Sequence, residues 1–252
     1  MDEKLEYLVR AGIYSNKSEA VRDAIRRLLE SLDMRDIALK AYKYGNASFQ
    51  LALEIASVPY EELAAYFARH GVVPELGSDD IEEVSSGKGY FVKGKMIVVD
   101  PLTLEVLVKS RVIDILILNE LLEDYPLAVV DSARTTLRSL SLKRLLVGAE
   151  SVEKYINVLR KQPGAAMLSR KNNITTVEAE CMLAASINKG VYMTVDMRTR
   201  QVARLMSVPA TPLLSLVYTL YSLGYMDKTK YLEILGLLET NMLIVPREAK
   251  RL

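Results

Sequence analysis

Two residue types that build many reactive centres are nearly missing from this chain, which has one cysteine, Cys181, and one histidine, His70, in 252 residues. A single cysteine allows no internal disulfide and suits a reducing compartment, so a cytoplasmic location is expected. Cys181 lies in an apolar run and reads as core. A lone histidine cannot build a histidine-based zinc site, and there is no cysteine cluster. A serine–histidine triad is poorly served, because His70 falls far from the acidic residues described below. No glycine-rich phosphate loop is present. No run of about 18 apolar residues is free of charge, which excludes a membrane partner by that route. Charged residues run through the N-terminal segment, so no signal peptide is expected. Charge of one sign is lacking too: 33 basic against 32 acidic residues leave +1. That balance argues against a protein that coats nucleic acid and leaves room for a local basic patch.

What is present is an acidic constellation. Residues 175–206, TTVEAECMLAASINKGVYMTVDMRTRQVARLM, read as helix, loop, strand, helix. Thr175 and Glu178 have capping-box spacing. Gly190 ends the helix, Val191 to Val195 is a β-rich run, and Asp196 stands where that strand ends. Residues 96–100, MIVVD, form a second apolar run ending in Asp100. In an α/β sheet the carboxyl ends of strands gather at one crevice. Clustered carboxylates repel each other unless exposed, partly protonated or holding a hard cation such as Mg²⁺ or Mn²⁺. A plainer role stays open, since Asp100 and Asp196 can each N-cap the next helix.

The rest of the chain divides by pattern. Residues 3–11 and 17–30 give a short helix pair, the second with Val21, Ile25, Leu28 and Leu29 as an apolar stripe. So small a pair buries little alone and needs a partner. Residues 33–71 carry three more helical segments, with Ser48 as an N-cap candidate and Pro59 near the start of the third. Glu61 and Glu62 occupy the end of that third helix that would approach phosphates, which counts against DNA binding through it. Residues 84–95 read as a linker. From residue 96 the pattern is α/β: strands at 96–100, 127–131 and 191–195, helices at 102–108, 112–122 and 151–161, a turn bracketed by Pro209 and Pro212, and an edge strand at 242–245. SRKNN, 169–173, reads as a basic loop ahead of the acidic helix, so Arg170 and Lys171, with Arg198, are candidates to hold phosphates. Asp131 reads as an N-cap or a further acid. Tyr218, Tyr221, Tyr225 and Tyr231 read as core rather than as base-stacking platforms.

Three resemblances follow from these stretches. AGIYSNKSEAVRDAIRRLLE, 11–30, resembles the two helices of a ribbon–helix–helix antitoxin, which implies a homodimer through residues 3–30. Only Met1 and Asp2 precede the first helix, so the DNA-reading strand of that family is missing. YKYGNASFQLALEIASVPYEELAAYFARHGVVPEL, with the acidic tail SDDIEE, is similar to a small helix-turn-helix antitoxin family whose members are often paired with PIN-like toxins, and DNA stays open as a partner. MIVVD, VEAECMLA, YMTVDMRTRQVARL and VPATPLLSLVYTLYSLGYMD resemble a PIN-domain protein of the kind often paired with an antitoxin. The units expected are 1–31, 32–83, a linker at 84–95, and 96–252. The fold class expected is an all-helical N-terminal region followed by a PIN-like α/β/α domain with a mostly parallel sheet.

The PIN resemblance implies a ribonuclease dependent on Mg²⁺ or Mn²⁺. Asp100, Glu178, Glu180 and Asp196 would be its catalytic residues, and Asp100, Glu180 and Asp196 its metal ligands, with Asp131 as a further candidate. Thr135 and Thr136 stand where the family pattern has a glutamate, and Met197 where many relatives have an acid. Neutral replacements lower metal affinity. Two readings therefore stay open. One is a ribonuclease restrained in cis by its antitoxin-like half. The other is a non-enzymatic dimeric regulator that binds DNA or protein and needs no cofactor.

Overall fold

The computed structural model describes residues 2–134 and 155–251. The chain opens with α1 (Asp2–Arg10) and α2 (Lys17–Ser31). Gly12 takes a positive φ of 71° after α1, and Asn16 caps α2 by accepting the Glu19 amide at 2.9 Å. No residue of α1 is buried, and Ala20 alone is buried in α2. The stripe of Val21, Ile25, Leu28 and Leu29 is exposed.

Burial begins with α3 (Met34–Gly45), α4 (Phe49–Ala56) and α5 (Tyr60–Arg69). Phe49 is fully buried, and its ring meets Tyr42, Phe67 and Tyr60 with centroids 5.5 to 5.9 Å apart, all near edge-to-face. That geometry suits the aromatic quadrupole. These helices share one continuous hydrophobic core with the α/β half, running from Ala38 to Ala249. Next comes α6 (Ile81–Ser86), N-capped by Asp80. Residues 84–95, expected as a linker, carry the end of α6 and a 3₁₀ turn at Gly87–Tyr90, with Val84 and Phe91 buried.

Then follow β1 (Ile97–Val99), α7 (Pro101–Lys109), α8 (Val112–Leu118), β2 (Leu127–Val130) and β3 (Asn157–Leu159). The chain continues through α9 (Ala165–Asn172), α10 (Thr176–Ile187), β4 (Val191–Met193) and α11 (Met197–Leu205). It ends with β5 (Ala210–Thr211), α12 (Leu213–Ser222) and α13 (Lys228–Thr240). The five strands form one sheet in the order β3-β2-β1-β4-β5, and every pairing is parallel. An all-helical region thus precedes an α/β/α arrangement. The strands β1, β2 and β4 are buried throughout, as unbroken apolar runs in a covered parallel sheet should be. The order reverses between β1 and β4, and a doubly wound sheet opens a crevice at such a point.

Several local expectations change. The helix expected at 151–161 is, in its described part, strand β3, because Asn157 to Leu159 pair with Ala128 to Val130 of β2. The loop expected at 169–173 is mostly the last turn of α9. The turn between the prolines is β5, and α8 stops at Leu118 rather than continuing to 122. Residues 242–245 form only an isolated bridge, Ile244 with Gly77. Thr135 and Thr136 lie outside the described residues.

The bridge explains a glycine. Gly77 has φ of 92°, and a Cβ there would lie 2.3 Å from the Ile244 carbonyl oxygen. Leu76 beside it bridges to Asp196. Arg200 of α11 secures the same segment: it is 2% exposed, donates to the Gly77 carbonyl at 2.8 Å, and its Nε meets Glu83 at 2.8 Å. Gly77→Ala is expected to cost about 2–4 kcal/mol, combining backbone strain and overpacking. Urea unfolding measures it, and a loss below about 0.5 kcal/mol would contradict this packing.

Candidate functional site

Asp100 directly follows β1 and Asp196 stands just beyond β4, so both carboxylates lie at the carboxyl ends of the two strands that flank the reversal. Each caps the helix that follows. Asp100 Oδ1 accepts the Thr103 amide at 2.7 Å, and Asp196 Oδ1 accepts the Arg198 and Thr199 amides at 2.9 and 3.2 Å. Glu178 sits in the first turn of α10, where it and Thr175 complete a reciprocal capping box. All three are almost wholly buried.

The remaining oxygens face inward. Asp100 Oδ2 accepts the Tyr192 hydroxyl at 2.7 Å. Glu178 Oε1 accepts the Thr199 hydroxyl at 2.8 Å, and its Oε2 accepts the Thr175 amide at 2.7 Å. The other donors come from the helical half. The Ser48 hydroxyl reaches Glu178 Oε2 at 2.7 Å, and the Phe49 amide reaches Asp196 Oδ2 at 2.6 Å. Ser48 and Phe49 are the N-cap and first residue of α4, so that helix points its amide end at the carboxylates. A helix N-terminus carries partial positive charge and unpaired N–H groups, which is what a group of buried anions needs.

The turn between α3 and α4 is held at further points. The Ser48 amide donates to the Asn173 carbonyl at 2.9 Å, and Asn173 Nδ2 to the Gly45 carbonyl at 2.8 Å. Residues 45–49 thus form a wedge seated in the α/β half. Ser48 and Phe49 went unrecognised as site residues. Ser48 was legible only as a helix cap, and nothing local signals a bond to a residue 130 positions away.

The other candidates are placed differently. Glu180 is buried and accepts the Ser132 hydroxyl, on the β2 side. Asp131 is half exposed and pairs with Arg134 at 3.7 Å. Arg170 and Lys171 are exposed on the last turn of α9. Arg198 is turned away from solvent, with its side chain 18% exposed and engaged by Glu75 and by the wedge. Cys181 is buried, and burial pushes its thiol well above the usual range.

The chain matches no protein-family model, no curated protein and no solved structure.

Both oxygens of Asp100, Glu178 and Asp196 already accept hydrogen bonds from the chain. Among the described residues no group of three or more His, Cys, Asp or Glu side chains is arranged to hold a metal ion. In this closed arrangement the donor set does not fit a divalent cation.

Crowding shows in the protonation equilibria. Burial, then the charges of Asp196 and Asp100, push Glu178 up to about 8. Burial also pushes Asp196 up to about 6, against the pull of the Phe49 and Thr199 amides. Raised carboxyl groups stabilise the fold below the unfolded-state value, and that stabilisation is lost as pH rises through the folded value. Stability is expected to fall from about pH 4 to about pH 8, mostly through Glu178. Glu178→Gln should flatten that fall. Thermal melts across the range measure it, and an equally steep fall in the variant would remove Glu178 as the cause.

Proposed function

We propose that this chain is a self-restrained protein related to toxin–antitoxin pairs: a PIN-like ribonuclease half with its acidic site stoppered in cis by the helical half. The observation that carries this reading is the pair of bonds from Ser48 and the Phe49 amide to Glu178 and Asp196. These two buried carboxylates belong to the α/β half, one at the switch point and one beside it, and their partners come from a segment that precedes the sheet in sequence. The donors to Glu178 and Asp196 come from 130 and 147 positions away, so the helical half covers these acids directly. The closed arrangement is the resting one. In it the carboxylates are neutralised by hydrogen bonds and helix polarity. Asp100, Glu178 and Asp196 are the acids that withdrawal of the wedge uncovers, with Glu180 beside them. Mg²⁺ or Mn²⁺ is the cofactor class that such an uncovered set would take. Arg170 and Lys171, exposed on α9, would hold the flanking phosphates.

A second reading is a non-enzymatic regulator with a PIN-like remnant, and one observation favours it: both oxygens of Asp100, Glu178 and Asp196 are already engaged by donors of the chain. The readings separate on the full-length variant Ser48→Asp. Aspartate still caps α4 but removes the hydroxyl that donates to Glu178 and adds a further acid to a crowded buried group that includes Asp196, so it disfavours the seated wedge. Wild type should bind little Mn²⁺ by titration calorimetry. Ser48→Asp should bind it and cleave single-stranded RNA, and adding Asp196→Asn should abolish both. A folded Ser48→Asp protein that neither binds Mn²⁺ at millimolar concentration nor cleaves RNA would leave the regulator reading standing.

Both readings include a homodimer through residues 3–30. The exposed stripe of Val21, Ile25, Leu28 and Leu29 supports it, on a helix pair that buries almost nothing of itself. DNA contact by the helical half belongs to the regulator reading. Light scattering should give twice the chain mass for wild type and one chain mass for Ile25→Glu with Leu28→Glu. A wild-type monomer at about 100 μM would refute the dimer.

A further inference from the structure

The wedge has two charged ends. One is the N-terminus of α4, read by Glu178 and Asp196. The other is the C-terminus of α3, whose last carbonyls have no partner within the helix and carry partial negative charge. A single cation answers that end. Arg198, the second residue of α11, donates through Nη1 to the Tyr42 carbonyl and, at 3.2 Å, to the Ala47 carbonyl. Its Nε meets Glu75 at 2.9 Å, and its guanidinium carbon lies 3.8 Å from the centroid of the Tyr42 ring. Glu75 is tied to the same place, because its amide donates to the Tyr42 hydroxyl at 2.7 Å. Arg198 also sits two residues from Asp196, whose carboxylate receives the Arg198 amide. One residue therefore holds the acidic site through its backbone and the wedge through its side chain.

We propose that Arg198 is the latch of the closed state, a positioning residue that keeps residues 45–49 seated. We further propose that RNA phosphate competes with the Tyr42 and Ala47 carbonyls for its guanidinium. This second half rests on the ribonuclease reading above, and the first does not. The planar fork of arginine bonds two carbonyls while stacking on a ring, and the same fork suits a phosphate. A phosphate held by two prongs of the fork needs Nη1 or Nε, and both already have partners, so such a grip displaces at least one of them. A phosphodiester that captures the guanidinium removes the hold on α3, so the substrate class itself loosens the stopper. Lysine, a point charge without the fork, cannot replace it.

Hydrogen–deuterium exchange with mass spectrometry on the full chain tests both halves. In Arg198→Ala and Arg198→Lys, peptides spanning 42–56 should exchange about tenfold faster than in wild type, with β1, β4 and α12 unchanged. Unchanged exchange over 42–56, or acceleration spread over the whole chain, would overturn the latch. A single-stranded oligouridylate should accelerate the same peptides in wild type and add nothing in Arg198→Ala. No effect of the oligonucleotide beside a clear effect of the substitution would overturn the competition and retain the latch. Failure of the ribonuclease reading would appear instead as absent Mn²⁺ binding by Ser48→Asp.

Discussion

Three carboxylates buried side by side at the carboxyl edge of a parallel sheet are the constraint from which the rest of this structure follows. Without donors, such a group would have to protonate fully, open to water or bind a cation. Here the chain supplies the compensation itself. The amides that start α7 and α11, the hydroxyls of Tyr192 and Thr199, and the Thr175 amide are local. The decisive donors are Ser48 and the Phe49 amide, because they bind the helical half to the α/β half at the buried acids. Fully satisfied buried polar networks specify a unique arrangement, and partly satisfied ones are costly. The wedge is thus held by what the carboxylates would lose if it left.

The fit of the wedge is dipolar. The α3–α4 turn presents the negative end of one helix and the positive end of the next, within a few residues of each other. The α/β half answers with Arg198 on one side and Glu178 with Asp196 on the other. The aromatic cluster around Phe49 fixes the same turn from within the helical half. A second tie, Glu83 with Arg200, fastens the connecting segment to α11. Burial lowers the Arg200 pKa, and Glu83 opposes that shift. The first turn of helix α11 is therefore tied to the segments that precede the sheet, by Arg198 to residues 42 and 47 and by Arg200 to Gly77 and Glu83. Any displacement of that half is felt at Asp196.

Much of the site was legible in the sequence and its partners were not. Asp100 and Asp196 at strand ends, and Glu178 in a capping box, are local patterns, since strand, cap and first helical turn lie within a few residues. The strand β3 was hidden because Asn157 to Leu159 is a partly exposed edge with no unbroken apolar run, unlike β1 and β4 of equal length, and β5 because it is two residues between prolines. Asp131, equally acidic and also at a strand end, stayed at the surface with Arg134. Only packing separates it from Asp100. Arg198, read from sequence as a phosphate contact, spends its guanidinium on carbonyls that no local rule brings near it.

The sequence by itself determined most of the elements and their order: helices first, then short apolar strands, with acids at three strand ends. Caps and periodicity act within a turn or two, so they survive without a fold. What tertiary structure alone decided was which charges are buried together and what neutralises them. Ser48, Phe49 and Arg198 acquire their roles from partners as far as 156 positions away. Burial sets the strength of those contacts, because a carboxylate in water needs no helix end to satisfy it and one inside a protein does.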